Sequence, residues 1–281
     1  MLNVVRSLPH ISIQMPLVNG ARYVRRAVDS ILEQTYDCWS LSIYDAGSTD
    51  GSWEIVQEYS RENPKISSYQ ASDTGIYDAL CKAFEGADGD VFAWLNADDM
   101  FLPWTFSQVA DAFLVEGVTW VGGYPAIWDK HDQVRSIVPV AAPHARWIRE
   151  GWMHDELLGC IQQESTFFSA GLWRGLSLTQ KQRFSSLKLA GDFYLWTQFA
   201  EHASLQFIPT VLGGFRRHKK NRSVAHRSLY QQEVYECGGK RLPAWLAKKA
   251  RGLHDLISTR RALYAARAAM AHLVDELEAE A

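Results

Sequence analysis

The sequence predicts an α/β protein: a mostly parallel central sheet with helices on both faces, then a helical C-terminal extension. Three observations carry this. Strand-like apolar runs alternate with helix-periodic segments across roughly the first 120 residues. Asn, Gly, Asp and Pro clusters mark the junctions between them. The composition is ordinary for a globular chain, with 281 residues, 47% hydrophobic and 22% charged, enough to bury a substantial core.

ISIQMPLV (11–18) reads as a strand, broken by Asn19-Gly20. Residues 21–34 place Val24, Ala27, Val28, Ile31 and Leu32 on one helical face. WSLSIYD (39–45) alternates as a strand and ends in Asp45; AGSTDGS (46–52) is a turn rich in capping residues. A helix follows and stops at Asn63-Pro64, and ISSYQ (66–70) is a short strand. The next pair is a helix from Ile76 to Glu85 and the strand VFAWL (91–95). Pro103 suits the first turn of a helix over 103–115, and VTWVGG (118–123) is another strand. Residues 124–140 form a hairpin-like excursion, 146–154 a helix, and 165–176 a strand-to-helix passage. Residues 189–203 are helical, with Leu195, Trp196, Phe199 and Ala203 on one face. Residues 205–218 read as a strand, a turn and a return strand, and from about 226 the chain is mostly helical.

In a parallel α/β sheet, ligands bind beyond the carboxyl ends of the strands. Three polar clusters fall there: Pro16–Asn19, Asp45–Asp50 and Asn96–Asp99. Two of them carry acids, which suits a divalent cation on a phosphorylated ligand. Turn formation and helix capping explain the same residue types.

Several stretches taken together resemble the inverting family 2 glycosyltransferases of GT-A fold. They are residues 12–52, DTGIYDALCKAFEGADGDVFAWLNADD (73–99), QQESTFFSAGLW (162–173) and LAGDFYLW (189–196). The resemblance covers roughly 10–223, with the bacterial polysaccharide-assembly subgroup the most similar in its GIYDA and N-x-D-D elements. It implies a domain over 1–224, with a nucleotide-sugar half (about 10–123) and an acceptor half (about 124–224), and a basic helical extension over 225–281.

The resemblance implies that Pro16, Val18 and Asp45 hold the nucleotide base, and that Asp73, Gly75 and Lys82 lie near the nucleotide. Asp45 also suits a turn cap, and Lys82 an i,i+4 pair with Asp78. The family's D-x-D element falls on Asn96, Ala97 and Asp98, with an amide in the first position. Asp98 is then the ligand to Mg²⁺ or Mn²⁺, joined by His218 as a second ligand or as a donor to the diphosphate, while Asn96 bonds the ribose or offers its carbonyl oxygen and Asp99 is a helix cap or a partner behind the metal ligand. One carboxylate is enough where substrate phosphates and waters complete the shell. His218 also reads as a surface histidine in the basic loop FRRHKKNRS. Asp192 is the implied general base for the acceptor hydroxyl, and as an N-cap it would suit the same helix. Gly191 stands where an acid often precedes that Asp. Gln163 and Glu164 are expected beside the acceptor, and Trp173 against a sugar face or in the core.

Charge is uneven. Residues 216–267 hold 14 Lys or Arg and three acids, a charge of +11, which leaves −14 for the rest of the net −3. Residues 240–281 alternate basic and apolar positions, and Leu246, Ala250, Leu253, Leu256 and Ile257 can share a helix face. An anionic membrane surface met by 240–267, docking on the catalytic domain and a homo-oligomer contact all remain open. No nucleic-acid recognition motif accompanies the charge.

The four cysteines, at 38, 81, 160 and 237, form no C-x-x-C pair. The N-terminus shows no signal-peptide pattern, and no run approaches the roughly 20 apolar residues of a membrane span. A cytoplasmic enzyme, peripheral on the inner face of the membrane, is expected. Its donor is a nucleotide sugar, expected to be UDP-linked, and its acceptor a glycan or lipid-linked glycan. A rival is a catalytically weak or inactive nucleotide-sugar-binding scaffold of the same fold. A nucleotidyltransferase is disfavoured, because MPLVNGARYV lacks a Gly-rich phosphate loop.

Overall fold

The computed structural model describes residues 7–70, 72–218, 221–256 and 260. Ile257 and most of the expected tail lie outside them, so the apolar face expected there is described only as far as Leu256.

The first half alternates strand and helix: β1 (Ile11–Leu17), α1 (Val24–Leu32), β2 (Trp39–Asp45), α2 (Ser52–Glu62), β3 (Ile66–Gln70), α3 (Ile76–Glu85) and β4 (Val91–Trp94). β5 (Met100–Phe101), α4 (Thr105–Leu114), β6 (Trp120–Gly122), and the hairpin β7 (Ala126–Trp128) and β8 (Val134–Ile137) follow. Then come α5 (Ala145–Arg149), β9 (Thr166–Ser169), α6 (Ala170–Arg174), α7 (Leu178–Ser186) and α8 (Gly191–Phe199). The chain continues through β10 (Gln206–Phe207), β11 (Gly213–Arg216), α9 (Arg222–Ala225) and α10 (Arg227–Glu236). A last helix, α11, spans 244–256.

The main sheet has seven strands in the order β10-β6-β9-β4-β1-β2-β3. Pairing is parallel except at β9, which runs antiparallel to both β4 and β6. Period-2 alternation splits the core. Val91, Ala93 and Leu95 face one cluster with Ile11, Ile13 and Met15, whereas Phe92 and Trp94 face the other. The second cluster is aromatic: Trp94, Trp120, Phe168, Trp173 and Trp196 pack around Phe84 and Phe199. Each such side chain contributes roughly 1.5–3 kcal/mol by leaving water, so the abundant Trp serves the core first.

A second sheet, β5-β11-β7-β8, lies beside the end of β4. It corrects the reading of 205–218. β10 joins β6 in the main sheet, while β11 pairs with β5 and β7 in the second. Alternation marks both strands, but nothing in it names their partners. The close fit at β11 needs glycine: a Cβ on Gly213 would lie 2.2 Å from the Glu164 carbonyl oxygen. α1 starts at Val24 rather than 21, because the 19–21 backbone N–H groups bond Ser48, Ser52 and Asp50 across the strand ends. α7 was not anticipated; Ser177 and Gln180 close a reciprocal capping box at its start.

Candidate active site

The carboxyl ends of β1, β2 and β4 supply the site. The 45–52 loop is held by its own side chains. Asp45, fully buried, accepts from the Gly47 and Ser48 N–H groups at 3.2 and 3.0 Å and from the Ser48 hydroxyl. With no exposed surface it caps this turn, the second of the two roles its sequence position suits. Asn19, at φ 50°, accepts from Thr49 N–H at 2.9 Å and ties β1 to the same loop. Pro16 is half-buried and Val18 54% exposed, so Val18 is the open apolar face of this edge.

The 72–75 loop is built similarly. Asp73 accepts from Gly75 N–H at 3.0 Å, and Gly75 sits at φ 148°, which favours glycine. Lys82 spends its ammonium on Asp78 at 3.0 Å and the Ser72 carbonyl at 3.1 Å. The i,i+4 pair is thus its role here, and it braces the loop.

Asn96, Ala97 and Asp98 leave β4 as a turn. Asp98 Oδ2 lies 2.8 Å from His218 Nε2 and 3.5 Å from Asn221 Nδ2. The His218 ring stacks on Tyr23 at 5.1 Å. The expected carboxylate and imidazole therefore meet, 120 residues apart in sequence. Among the described residues no cluster of three or more His, Cys, Asp or Glu could hold a cation. An Asp oxygen and an imidazole nitrogen still fit a divalent ion whose remaining ligands are diphosphate oxygens and water.

Behind Asp98, Arg216 is fully buried. It donates from Nε to the Asp98 carbonyl, at 2.6 Å, and from Nη1 to the Asp129 carbonyl, at 3.2 Å, and to the Asp132 carboxylate. Its backbone N–H reaches Asp99 Oδ1 at 2.7 Å. Asp99 is thus a buried anchor for β11 and not a helix cap. Asn96 Nδ2 donates to Asp99 Oδ2 at 3.0 Å and to Gln163 Oε1 at 3.2 Å, leaving Asn96 Oδ1 buried without a partner. Glu164, 5% exposed, is a second buried acid whose charge acts on Asp99. Burial pushes Glu164 up to about 7 and drives Asp99 well above the usual carboxylate range. Gln163 and Glu164 therefore form the wall behind the Asp98 turn.

Asp192 opens α8. Burial raises its carboxyl from 3.8 to about 6, although it accepts from Phe193 N–H at 2.8 Å. That range suits a general base near neutral pH. Its charge also raises Glu164. Two residues hold the loop before it. Glu233 of α10 accepts from the Lys188, Leu189 and Ala190 N–H groups at 2.8–2.9 Å. The Tyr77 hydroxyl donates to the Leu189 carbonyl at 2.9 Å. Tyr77 explains Gly191, because a Cβ there would lie 2.5 Å from the ring. Trp173 is corrected: 1% exposed, it packs on Phe84 and Phe184 and donates to Glu85 at 3.1 Å, so no sugar reaches its face.

Tyr77, Asn221 and Glu233 were not expected as site residues, and Arg216, expected to screen phosphate charge, is instead fully buried behind Asp98. Tyr77 stands in the GIYDA element; for the others, partners lie too far along the chain for spacing to reveal.

The sequence profile of Glycosyl transferase family 2 matches residues 12–169. The chain belongs to glycosyltransferase family 2. An uncharacterized glycosyltransferase of Rickettsia typhi is 27% identical over 238 residues, 81% of this chain and 70% of its own. A chondroitin synthase of Pasteurella multocida is 32% identical over 99 residues, 35% of this chain and 10% of its own. Among solved structures, S. aureus TarS 1-349 in complex with UDP-GlcNAc superposes with TM-score 0.61 at 13% identity, covering 86% of this chain and 70% of that one. The mannosyltransferase PcManGT of Pyrobaculum calidifontis, in complex with GDP-Man and Mn2+, gives TM-score 0.58 at 18% identity, covering 96% and 80%. These likenesses establish the GT-A fold. Among the described residues no helix is long and apolar enough to cross a membrane.

Proposed function

We propose that this family 2 glycosyltransferase moves a sugar from a nucleoside-diphosphate donor, UDP-linked, to a glycan hydroxyl, with inversion. The observation that carries the reading is the meeting of the Asp98 carboxylate and the His218 imidazole, 2.8 Å apart, at the carboxyl end of β4, with the Asp192 carboxyl, raised to about 6, as the candidate base. The acceptor hydroxyl gives its proton to the Asp192 carboxylate as its oxygen attacks the anomeric carbon. The sugar–phosphate bond breaks on the opposite side, and its electron pair leaves with the diphosphate. Asp98 and His218 would hold the Mg²⁺ or Mn²⁺, which when bound neutralises the charge on the leaving diphosphate. Glu233 and Tyr77 fix the base by holding residues 188–190. The acceptor hydroxyl is the only nucleophile that inversion requires, so Glu164 stays behind the site as a buried neighbour of Asp99. TarS with UDP-GlcNAc supports a uridine donor, and PcManGT with GDP-Man and Mn2+ supports the metal and keeps guanosine as the rival base.

Calorimetric binding of UDP and GDP, with and without Mn²⁺, to the wild type and to Asp98→Ala tests this. UDP binding that requires Mn²⁺ and is lost in the variant is expected. Binding indifferent to metal and variant would overturn the donor site and favour a scaffold.

A further inference from the structure

The transferase cleft leaves the basic C-terminal part unused. α10, α11 and the 152–158 loop enclose a cavity of about 360 Å³. Arg227, Lys240, Lys248 and Arg251 line it, against Asp155 and Glu156. Both acids are engaged: Asp155 pairs with Arg227 at 3.1 Å, and Glu156 accepts from the Tyr235 hydroxyl. Arg251 donates to the carbonyls of Leu157, at 2.8 Å, and Asp155. Lys240 and Lys248 are exposed, and neither ammonium pairs with an acid among the described residues. The cavity thus has an unanswered positive charge on a framework fixed by Arg251.

α11 presents a second feature beside it. Its inner face, Leu246, Ala250 and His254, turns toward the protein, with His254 edge-on to Trp147. This corrects the expected grouping, since Leu246 and Ala250 part company with Leu253 and Leu256. The outer face carries Trp245, Leu253 and Leu256 at 71%, 59% and 53% exposed, with Lys248 and Lys249 among them. A Trp and two Leu flanked by lysines is the pattern of a helix lying in a lipid interface. One helical turn after Arg227, Tyr230 contacts Cys160 at 3.6 Å, and the Asp192 charge acts on both.

We propose that the cavity seats the phosphate headgroup of an anionic membrane lipid while the outer face of α11 lies in the bilayer interface. Positive charge without acid partners complements the headgroup, and the exposed apolar stripe complements the acyl boundary. That this surface brings a lipid-borne glycan to Asp192 rests on the transferase reading; lipid binding itself does not.

Flotation of the full chain tests it, with vesicles of phosphatidylcholine alone or mixed with phosphatidylglycerol. Binding to the anionic vesicles alone is expected, with a blue shift in Trp emission that Trp245→Ala removes. Lys240→Gln combined with Lys248→Gln should lose roughly thirtyfold in vesicle affinity, from about 1 kcal/mol per lysine near an anionic surface. UDP binding by the same variants should match the wild type, which certifies their fold. Vesicle binding without UDP binding would sink the donor reading and leave this one standing. Equal binding to both vesicle types, no binding, undiminished binding by the lysine variant, or capture on RNA in place of vesicles would each overturn the proposal.

Discussion

Asp192→Asn is expected to stabilise the protein at neutral pH while removing transfer. The carboxyl titrates at about 6 in the folded protein against 3.8 ordinarily, because burial disfavours its charge. The native state therefore holds this proton more tightly than the unfolded chain does. Stability from this group is fully present below the ordinary value and is lost as pH rises through about 6. Holding the proton up to about 6 in place of 3.8 is worth about 3 kcal/mol. The amide keeps an oxygen for the Phe193 N–H, but its NH₂ must find partners near Tyr77, and one buried donor left unmade costs about 1–3 kcal/mol. A net gain of about 1–2 kcal/mol at pH near 7.5 follows from the difference. Urea unfolding of wild type and variant at about pH 4 and about pH 7.5 reads this directly. The gain should appear at the higher pH and vanish at the lower. Wild-type transfer should fall as pH drops below about 6, when the base takes up its proton. A variant less stable than wild type at neutral pH, or a gain of equal size at both, would refute the burial argument.

Three further substitutions test how the site is held. Glu233→Gln leaves the three N–H groups of 188–190 with a neutral, single-oxygen acceptor; it should cost about 1–2 kcal/mol and lower kcat while sparing UDP affinity. Arg216→Ala leaves the Asp98 and Asp129 carbonyls without this donor and Asp132 with Arg26 alone, so a loss of about 1–3 kcal/mol in denaturant unfolding is expected. Gly191→Ala forces a Cβ against the Tyr77 ring at 2.5 Å; about 1–3 kcal/mol of stability should go, and the paired Tyr77→Ala should restore part of it.

The repeating units were legible because each carries its signal locally. β2 over 39–45, β3 over 66–70 and α3 over 76–85 match their expected bounds, since period-2 or helical spacing and a flanking Gly, Asn or Pro lie within one window. What failed was partner choice. β10 and β11 look like a hairpin in sequence, yet they belong to different sheets. The same limit governs the site. Asp98 and His218 were separately legible as metal-ligand types, but Arg216 and Glu233 act on backbone groups 118 and 43–45 positions away, a relation no spacing records. Trp173 was misplaced for a different reason: an indole suits a sugar face and a core equally, and only the packing around Phe84 decides.

Asn96 is where structure reverses the meaning of a sequence feature. Beside the D-x-D pattern the amide looks like a shortfall in metal binding. In the folded protein its NH₂ donates to Asp99 Oδ2 and Gln163 Oε1 at 3.0 and 3.2 Å. Both partners are acceptors, and the buried Asp99 already feels the charge of Glu164. A carboxylate at 96 could donate to neither, and would add a third acid beside two whose ionisation burial already disfavours. Asn96→Asp should therefore destabilise by about 2–4 kcal/mol, the cost of two lost bonds and an unpaired buried charge. It should bring no gain in Mn²⁺ affinity, because the added carboxylate is more readily protonated than ionised there. Urea unfolding and Mn²⁺ calorimetry in the presence of UDP check the two halves. A variant as stable as wild type that binds Mn²⁺ at least tenfold tighter would show that the amide is a weakened ligand after all, and that the acid pair behind it has room for another charge.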